Sequence, residues 1–198
     1  MGAEHEAAAN EPGGGGWPLV WRHVRQQSWH LIVVLGTVLL IALLVGTLAA
    51  WLQAGRDEVR NADVLLIIAP ALPAPALLEH AVETYRRGYA PTVIVAGAGA
   101  EVLRTSMIER GAPGERIEAL GAERRPVVEL RGRMRSAHAA GAQSALIVAE
   151  PAELLLWLKL THDQGLRAYG TPLPGRGPGV LELVSGSLGY WRYVLIQR

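Results

Sequence analysis

Residues 31–52 form an apolar run without one charged side chain. At about 1.5 Å per helical residue, a helix over these twenty-two positions is roughly 33 Å long, enough to cross a hydrocarbon core about 30 Å thick. Trp29 and Trp51 stand at its two ends, where indole rings favour the headgroup region. The pattern predicts a transmembrane helix, and therefore a protein that works beside a lipid bilayer.

A cleaved signal peptide is the alternative interpretation of this segment. The apolar region of a signal peptide usually has about 7–15 residues, whereas this run is longer and begins after a polar N-terminal stretch. The tripeptide Thr47-Leu48-Ala49 nevertheless fits a small-x-small cleavage site. We expect a retained anchor, with cleavage as the alternative.

The chain before this run divides into two segments. Residues 1–16 are small, acidic and glycine-ended, a composition that buries no core, so we expect a disordered tail. Apolar residues recur at helical spacing in residues 17–30, which is typical of an amphipathic helix in the membrane interface; an unstructured linker is the alternative. The tryptophans expected to anchor the chain at the membrane are Trp17, Trp21, Trp29 and Trp51.

The basic residues around the predicted span leave its orientation open. Arg22 and Arg25 precede it and Arg56 and Arg60 follow it, so the positive-inside rule favours neither direction.

Composition narrows the classes of function. The net charge of +1 gives no overall field that would attract nucleic acid, so we expect no nucleic-acid partner. The chain contains no cysteine, which excludes disulfides, thiolate chemistry and cysteine-based metal sites. His138 and His162 have no partner at ligand spacing, so we assign neither a metal nor a cofactor. The partners that we expect are the lipid bilayer, other membrane-protein subunits and an anionic lipid.

After a linker at residues 53–61, apolar runs alternate with amphipathic segments through residues 62–198. This alternation predicts βαβ units and a mainly parallel sheet, in a Rossmann-like three-layer α/β sandwich behind one N-terminal transmembrane helix. The predicted strands are residues 64–69, 92–96, 116–120, 145–149 and 166–171. The predicted helices are residues 75–87, 100–110, 127–140, 152–164 and 181–197.

Several motifs in this domain resemble the YdcF/SanA/ElyC family of envelope proteins. They are Ala62-Asp63-Val64-Leu65-Leu66-Ile67, Tyr85-Arg86-Arg87-Gly88-Tyr89-Ala90-Pro91, Gly111-Ala112-Pro113-Gly114-Glu115-Arg116-Ile117 and Ala145-Leu146-Ile147-Val148. The resemblance implies a Rossmann-like domain behind a single anchor, with the N-terminus in the cytoplasm and the domain outside it.

The chain departs from that family where the family places its polar pocket. Pro70, Pro73 and Pro75 occupy the loop after the first strand, and each proline lacks the N–H that a phosphate cradle requires. The family's His-x-x-Arg signature after the fourth predicted strand is replaced by apolar residues around Leu154. We expect the scaffold of the family without its pocket.

Ligands of open α/β sheets bind beyond the carboxyl ends of the strands, which directs attention to the residues there. Gly97 and Gly99 follow the second strand and are candidate anion donors, or simply a tight turn. Glu101 is either catalytic or a partner of the helix dipole, and Glu150 is either functional or a helix start.

Arg124 and Arg125 begin a cluster of five arginines within residues 124–135. The cluster is a candidate site for lipid phosphate, or else a solvated helix face. Tyr190, Trp191 and Tyr193 are expected to pack a terminal helix onto the sheet, with an interfacial patch as the alternative.

Together these features predict a membrane-anchored domain that is non-catalytic and acts as a binding or structural subunit at the cell envelope. The alternative is an envelope enzyme or carrier that acts on a polyisoprenoid phosphate or a cell-wall precursor. Adenosyl-nucleotide binding is a third interpretation, against which the three prolines argue.

Overall fold

The computed structural model of the chain describes residues 17–121, 126–175 and 177–197. The described residues divide into two compact units, with the boundary between Ala42 and Leu43. The first helix, α1 Trp17–Ala54, runs through both and is uninterrupted, so the segments predicted as an interfacial helix and a transmembrane helix continue into each other. Within α1, Trp29–Ala54 has a mean hydropathy of 2.9 over its most apolar stretch and is long enough to span a membrane.

The second unit contains the α/β domain, with strands and helices in strict alternation. The strands are β1 Val64–Ile68, β2 Thr92–Ala96, β3 Ile117–Leu120, β4 Ser144–Ala149 and β5 Arg167–Pro172. The further helices are α2 Pro75–Arg86, α3 Ala100–Glu109, α4 Pro126–Ala139, α5 Leu154–His162 and α6 Val180–Arg192, with a 3-10 turn at Gly114–Arg116 and a π-helical turn at Tyr193–Gln197.

The five strands form one parallel sheet in the order β3-β2-β1-β4-β5. This is the doubly wound order, in which the chain builds outwards from β1 first in one direction and then in the other. The predicted α/β class, the Rossmann-like parallel sheet and the N-terminal apolar helix are therefore confirmed.

Alternate residues of the central strands point into two separate cores. Leu65 and Ile67 of β1 pack with α2 and α3 on one face, where Met107 is fully buried. Leu66 and its neighbours in β2 and β4 pack on the other face, against α4, α5 and Tyr193. Every residue of β1 is buried, as expected of a parallel strand covered on both sides.

Two of the differences between predicted and observed helix bounds have a local reason. α5 begins at Leu154 rather than at residue 152, because the amides of Glu153 and Leu154 donate to the Glu150 carbonyl in a turn. α6 ends at Arg192 and passes into the π-helical turn. Tyr193 in that turn is buried in the core, and its hydroxyl donates to Asp163 Oδ2 at 3.2 Å. For Tyr193, this agrees with the expected packing onto the sheet.

Asp63 joins the starts of β1 and β4 at the amino end of the sheet. Its carboxylate accepts hydrogen bonds from the Gln143 amide at 2.8 Å and from the amide and hydroxyl of Ser144, both at 2.9 Å. The Gln143 amide is the main reason that the pKa of Asp63 lies below its ordinary value. These hydrogen bonds favour β4, rather than β5, as the neighbour of β1.

The end of α1 packs on α6 within the second unit. Gly46 and Ala50 are buried, and a Cβ on Gly46 would lie closer than 3.0 Å to both Ser187 Oγ and Trp191 Nε1. Gly46 is therefore required because α6 approaches the backbone of α1 so closely. The last three turns of α1 are part of the folded domain.

We predict that Gly46→Val lowers the free energy of unfolding by about 1–3 kcal/mol, since two side chains must move to admit the new methyl groups. The control is Gly36→Val, also in α1, where a new Cβ meets no atom within 4 Å. The measurement is unfolding of the full-length protein in mild detergent, followed by tryptophan fluorescence. Equal effects of the two substitutions would contradict the close approach.

Candidate functional site

The strand order creates a crevice at the carboxyl ends of β1 and β4. The connection from β1 leads through α2 to β2 on one side, whereas β4 leads through α5 to β5 on the other. Because the two connections diverge, a gap opens between them, and this topological switch point is where open α/β sheets bind ligands.

A cavity of about 190 Å³ occupies this crevice. Its wall is mostly apolar, with two carboxylates and one indole. The residues that line it are Ile68, Ala69, Pro70, Ala96, Gly97, Glu150, Glu153 and Trp157. The structure therefore places Gly97 and Glu150, both predicted from sequence, in one site.

The glycine turn after β2 is filled by the neighbouring loop rather than open to an anion. A Cβ on Gly97 would lie closer than 3.0 Å to the Ala69 carbonyl, and one on Gly99 equally close to the Pro70 carbonyl. The amides of both glycines donate to backbone carbonyls, Gly97 to Leu120 and Gly99 to Ala69, each at 3.3 Å. Of the two interpretations, the geometry supports the tight turn.

The loop after β1 provides equally little for a phosphate. Pro70 and Pro73 have no N–H, and Pro75 occupies the first turn of α2. The amides of Leu77 and Leu78, at the start of that helix, donate to the Ala74 carbonyl. Helix N-termini bind anions through amides that remain available, so this one is poorly suited to the task.

The polar groups at the mouth of the cavity are acidic. Glu150 directly follows β4, and desolvation together with the nearby charges of Glu153 and Glu182 raises its pKa above the ordinary value. The Trp157 indole N–H donates to Glu153 Oε2 at 3.2 Å and so orients that carboxylate. This arrangement repels a phosphate and favours a ligand that donates hydrogen bonds or carries positive charge.

Glu101 lies away from this cavity, in the first turn of α3. Its carboxylate is exposed and is 3.7 Å from the Arg104 guanidinium. An acidic residue at this position stabilises the helix dipole. The geometry therefore supports the structural interpretation of Glu101.

Arg124 and Arg125 lie outside the described residues. The other three arginines of the predicted cluster contact the domain itself. Arg133 pairs with Glu118 at 2.6 Å, Arg135 donates to the Gln164 amide oxygen, and Arg131 donates to the Tyr193 hydroxyl. The cluster was expected either to bind a lipid phosphate or to form a solvated helix face. These three side chains instead contact other residues of the domain.

The four predicted membrane anchors all lie on α1. Trp29 and Trp51 are exposed there, as the predicted contact with headgroups requires. The side chains of Trp17 and Trp21 fall outside the described part of the chain.

Sequence reasoning missed Glu153, Trp157 and Pro70 as a group that shares one cavity. Glu153 follows Glu150 by three residues, and Trp157 follows Glu153 by four. Such spacing is typical of side chains on one side of a helix, and it was the signal in the sequence that could have grouped them. Within the described ranges, no group of three or more His, Asp or Glu side chains is arranged to hold a metal ion.

Comparison with known proteins finds no family model, no curated protein and no solved structure that matches this chain. The resemblance to the YdcF/SanA/ElyC family therefore remains a prediction from sequence motifs.

We predict that Glu150→Gln raises the melting temperature at neutral pH and leaves it unchanged below pH 4.5, the ordinary pKa of a glutamate. A raised pKa in the folded chain means that ionisation favours unfolding, so this contribution to stability is complete below pH 4.5 and is lost as the pH rises through the folded pKa. Glutamine mimics the neutral acid and removes that loss. Thermal unfolding at both pH values measures the effect.

The control is Glu79→Gln, a substitution of an exposed glutamate on α2 that does not line the cavity. We expect the same melting temperature as the original protein at both pH values. A Glu150→Gln difference that does not depend on pH would refute the proposed desolvation of this carboxyl.

Proposed function

We propose that this chain is a single-pass membrane protein whose YdcF-like α/β domain acts without catalysis, as a binding or structural subunit at the cell envelope. One observation carries the proposal. At the switch-point crevice, the amides of Gly97 and Gly99 are already bonded to backbone and the mouth is lined by Glu150 and Glu153. A phosphorylated substrate has no cradle there.

The anchor is the second part of the proposal. Trp29–Ala54 is long and apolar enough to cross a bilayer, and the large side chains of α1 on either side of Val38 are exposed. A water-soluble protein rarely exposes so extended an apolar surface. We place the protein in the inner membrane, with the N-terminus cytoplasmic and the α/β domain outside the cytoplasm, on the basis of the family resemblance.

The alternative, an enzyme or carrier for a polyisoprenoid phosphate or a cell-wall precursor, requires cations or free amides at the site. The described arginines of the cluster, Arg131, Arg133 and Arg135, contact side chains of the domain instead. This distribution of charge favours the non-catalytic proposal.

Orientation is testable because the chain contains no cysteine. We expect Leu72→Cys, at a position 90% exposed in the loop after β1, to react with a membrane-impermeant maleimide in intact spheroplasts. Buried Leu103→Cys is the control for leakage and unfolding. Reaction of Leu72→Cys only after the membrane is broken would place the domain in the cytoplasm.

The subunit proposal predicts a stoichiometric membrane-protein partner when the full chain is purified from its native membrane in mild detergent. The Glu150→Gln/Glu153→Gln double variant should retain the partner at the same stoichiometry, because the cavity takes no part. Addition of undecaprenyl phosphate should leave the melting temperature of the purified protein unchanged, since a ligand that binds only the folded state would raise it. A clear rise, in a chain purified alone, would favour the carrier.

A further inference from the structure

The C-terminal segment of the domain exposes large apolar side chains to its surroundings. Leu181 and Leu188 are 85% and 55% exposed, and being seven residues apart they lie on the same side of α6. Leu195 and Ile196 in the π-helical turn are 75% and 76% exposed. Isolated apolar residues on a surface are ordinary. Several exposed apolar residues along one helix and the turn that follows it indicate a contact surface.

Packing between α1 and α6 fixes where this surface stands relative to the apolar span. Gly46 lies against Ser187 and Trp191. It also precedes the end of the uncharged run at Leu52 by six residues, or about 9 Å along a helix. A hydrocarbon core about 30 Å thick takes up nearly all of that run. Where α1 crosses a bilayer as proposed, the side chains of α6 that adjoin Gly46 lie at the depth of lipid rather than of water.

The polar residues of the segment fit the same location. Tyr190 and Trp191 pack edge to face with ring centres 5.6 Å apart, and such amphipathic rings are enriched at membrane interfaces. Arg192 is exposed at the end of α6, where a long cationic side chain can extend to lipid phosphates. Glu182 is occupied at the other end of α6, where its carboxylate accepts the Gly179 amide at 2.9 Å.

We infer that α6 and the π-helical turn form a second membrane contact, in which Leu181, Leu188, Leu195 and Ile196 lie in the lipid of the bilayer that α1 crosses. The inference rests on the membrane anchor of the proposed function and adds an element that the domain itself contributes. The occupant of this face is lipid, because Ser187 and Trp191 of the same helix lie against Gly46, within the apolar run of α1. The domain thereby contacts the membrane through α6 and the π-helical turn as well as through α1.

The test uses nitroxide-labelled single-cysteine variants of the full chain, which has no cysteine of its own. Three positions of similar exposure are compared: Leu188→Cys on α6 at 55%, Val38→Cys on α1 at 58% and Val102→Cys on α3 at 59%. The protein is reconstituted in vesicles of phosphatidylcholine with a minority of phosphatidylglycerol. Electron paramagnetic resonance then measures collisions of each label with apolar oxygen and with a water-soluble nickel chelate.

We expect Leu188→Cys to resemble Val38→Cys, with a ratio of oxygen to nickel collisions severalfold above that of Val102→Cys. If Val38→Cys is lipid-exposed and Leu188→Cys behaves like Val102→Cys, the second contact is wrong while the anchor stands. If Val38→Cys itself is aqueous, the anchor and the contact both fail.

A protein bound over α6 would give a third, distinct pattern of collisions. A label at Leu188→Cys that collides with neither reagent is covered by protein, and dipolar broadening between labels identifies that cover as a second copy of the chain. Either result overturns the lipid contact. Leu181→Cys, at the most exposed apolar position of α6, repeats the measurement should the first variant fold poorly.

Discussion

The pairing of β1 with two parallel neighbours is the constraint on which the rest of the domain depends. β1 is buried along its whole length, so its apolar run is satisfied only with a strand on each edge and helices on both faces. Asp63 reinforces the choice of β4 by binding the backbone at its start. Once β4 lies beside β1, the connections must diverge, and the crevice with its cavity follows from that divergence.

The same pairing explains why the crevice differs chemically from a phosphate site. The Ala69 and Pro70 carbonyls at the end of β1 occupy the space beside Gly97 and Gly99 that a ligand would need. Across the gap, β4 is followed by Glu150, whose pKa is raised by partial desolvation and by the charges of Glu153 and Glu182. An apolar cavity with acids at its mouth is the product of a proline-rich loop on one side and a short acidic turn on the other.

The sequence predicts the elements well and their arrangement around the site less well. Apolar runs and glycine stops give the five strands and their intervening helices to within one or two residues at nearly every end. The proximity of β1 to β4 has no local signal, since parallel strands far apart in the chain carry the same apolar pattern. Glu153 and Trp157 were therefore not joined to Pro70, although all three line the cavity. The role of Gly99 depends on a carbonyl in a different loop, which no spacing reveals.

Packing of the end of α1 into the domain changes how this long apolar helix should be understood. A tether would tolerate any apolar residue at Gly46, whereas the close approach of the Ser187 and Trp191 side chains favours glycine there. Tyr193, two residues after Trp191, is buried in the core that also contains Leu66 of β1. The end of α1 is thus joined to the sheet by packing through α6 as well as by the chain connection.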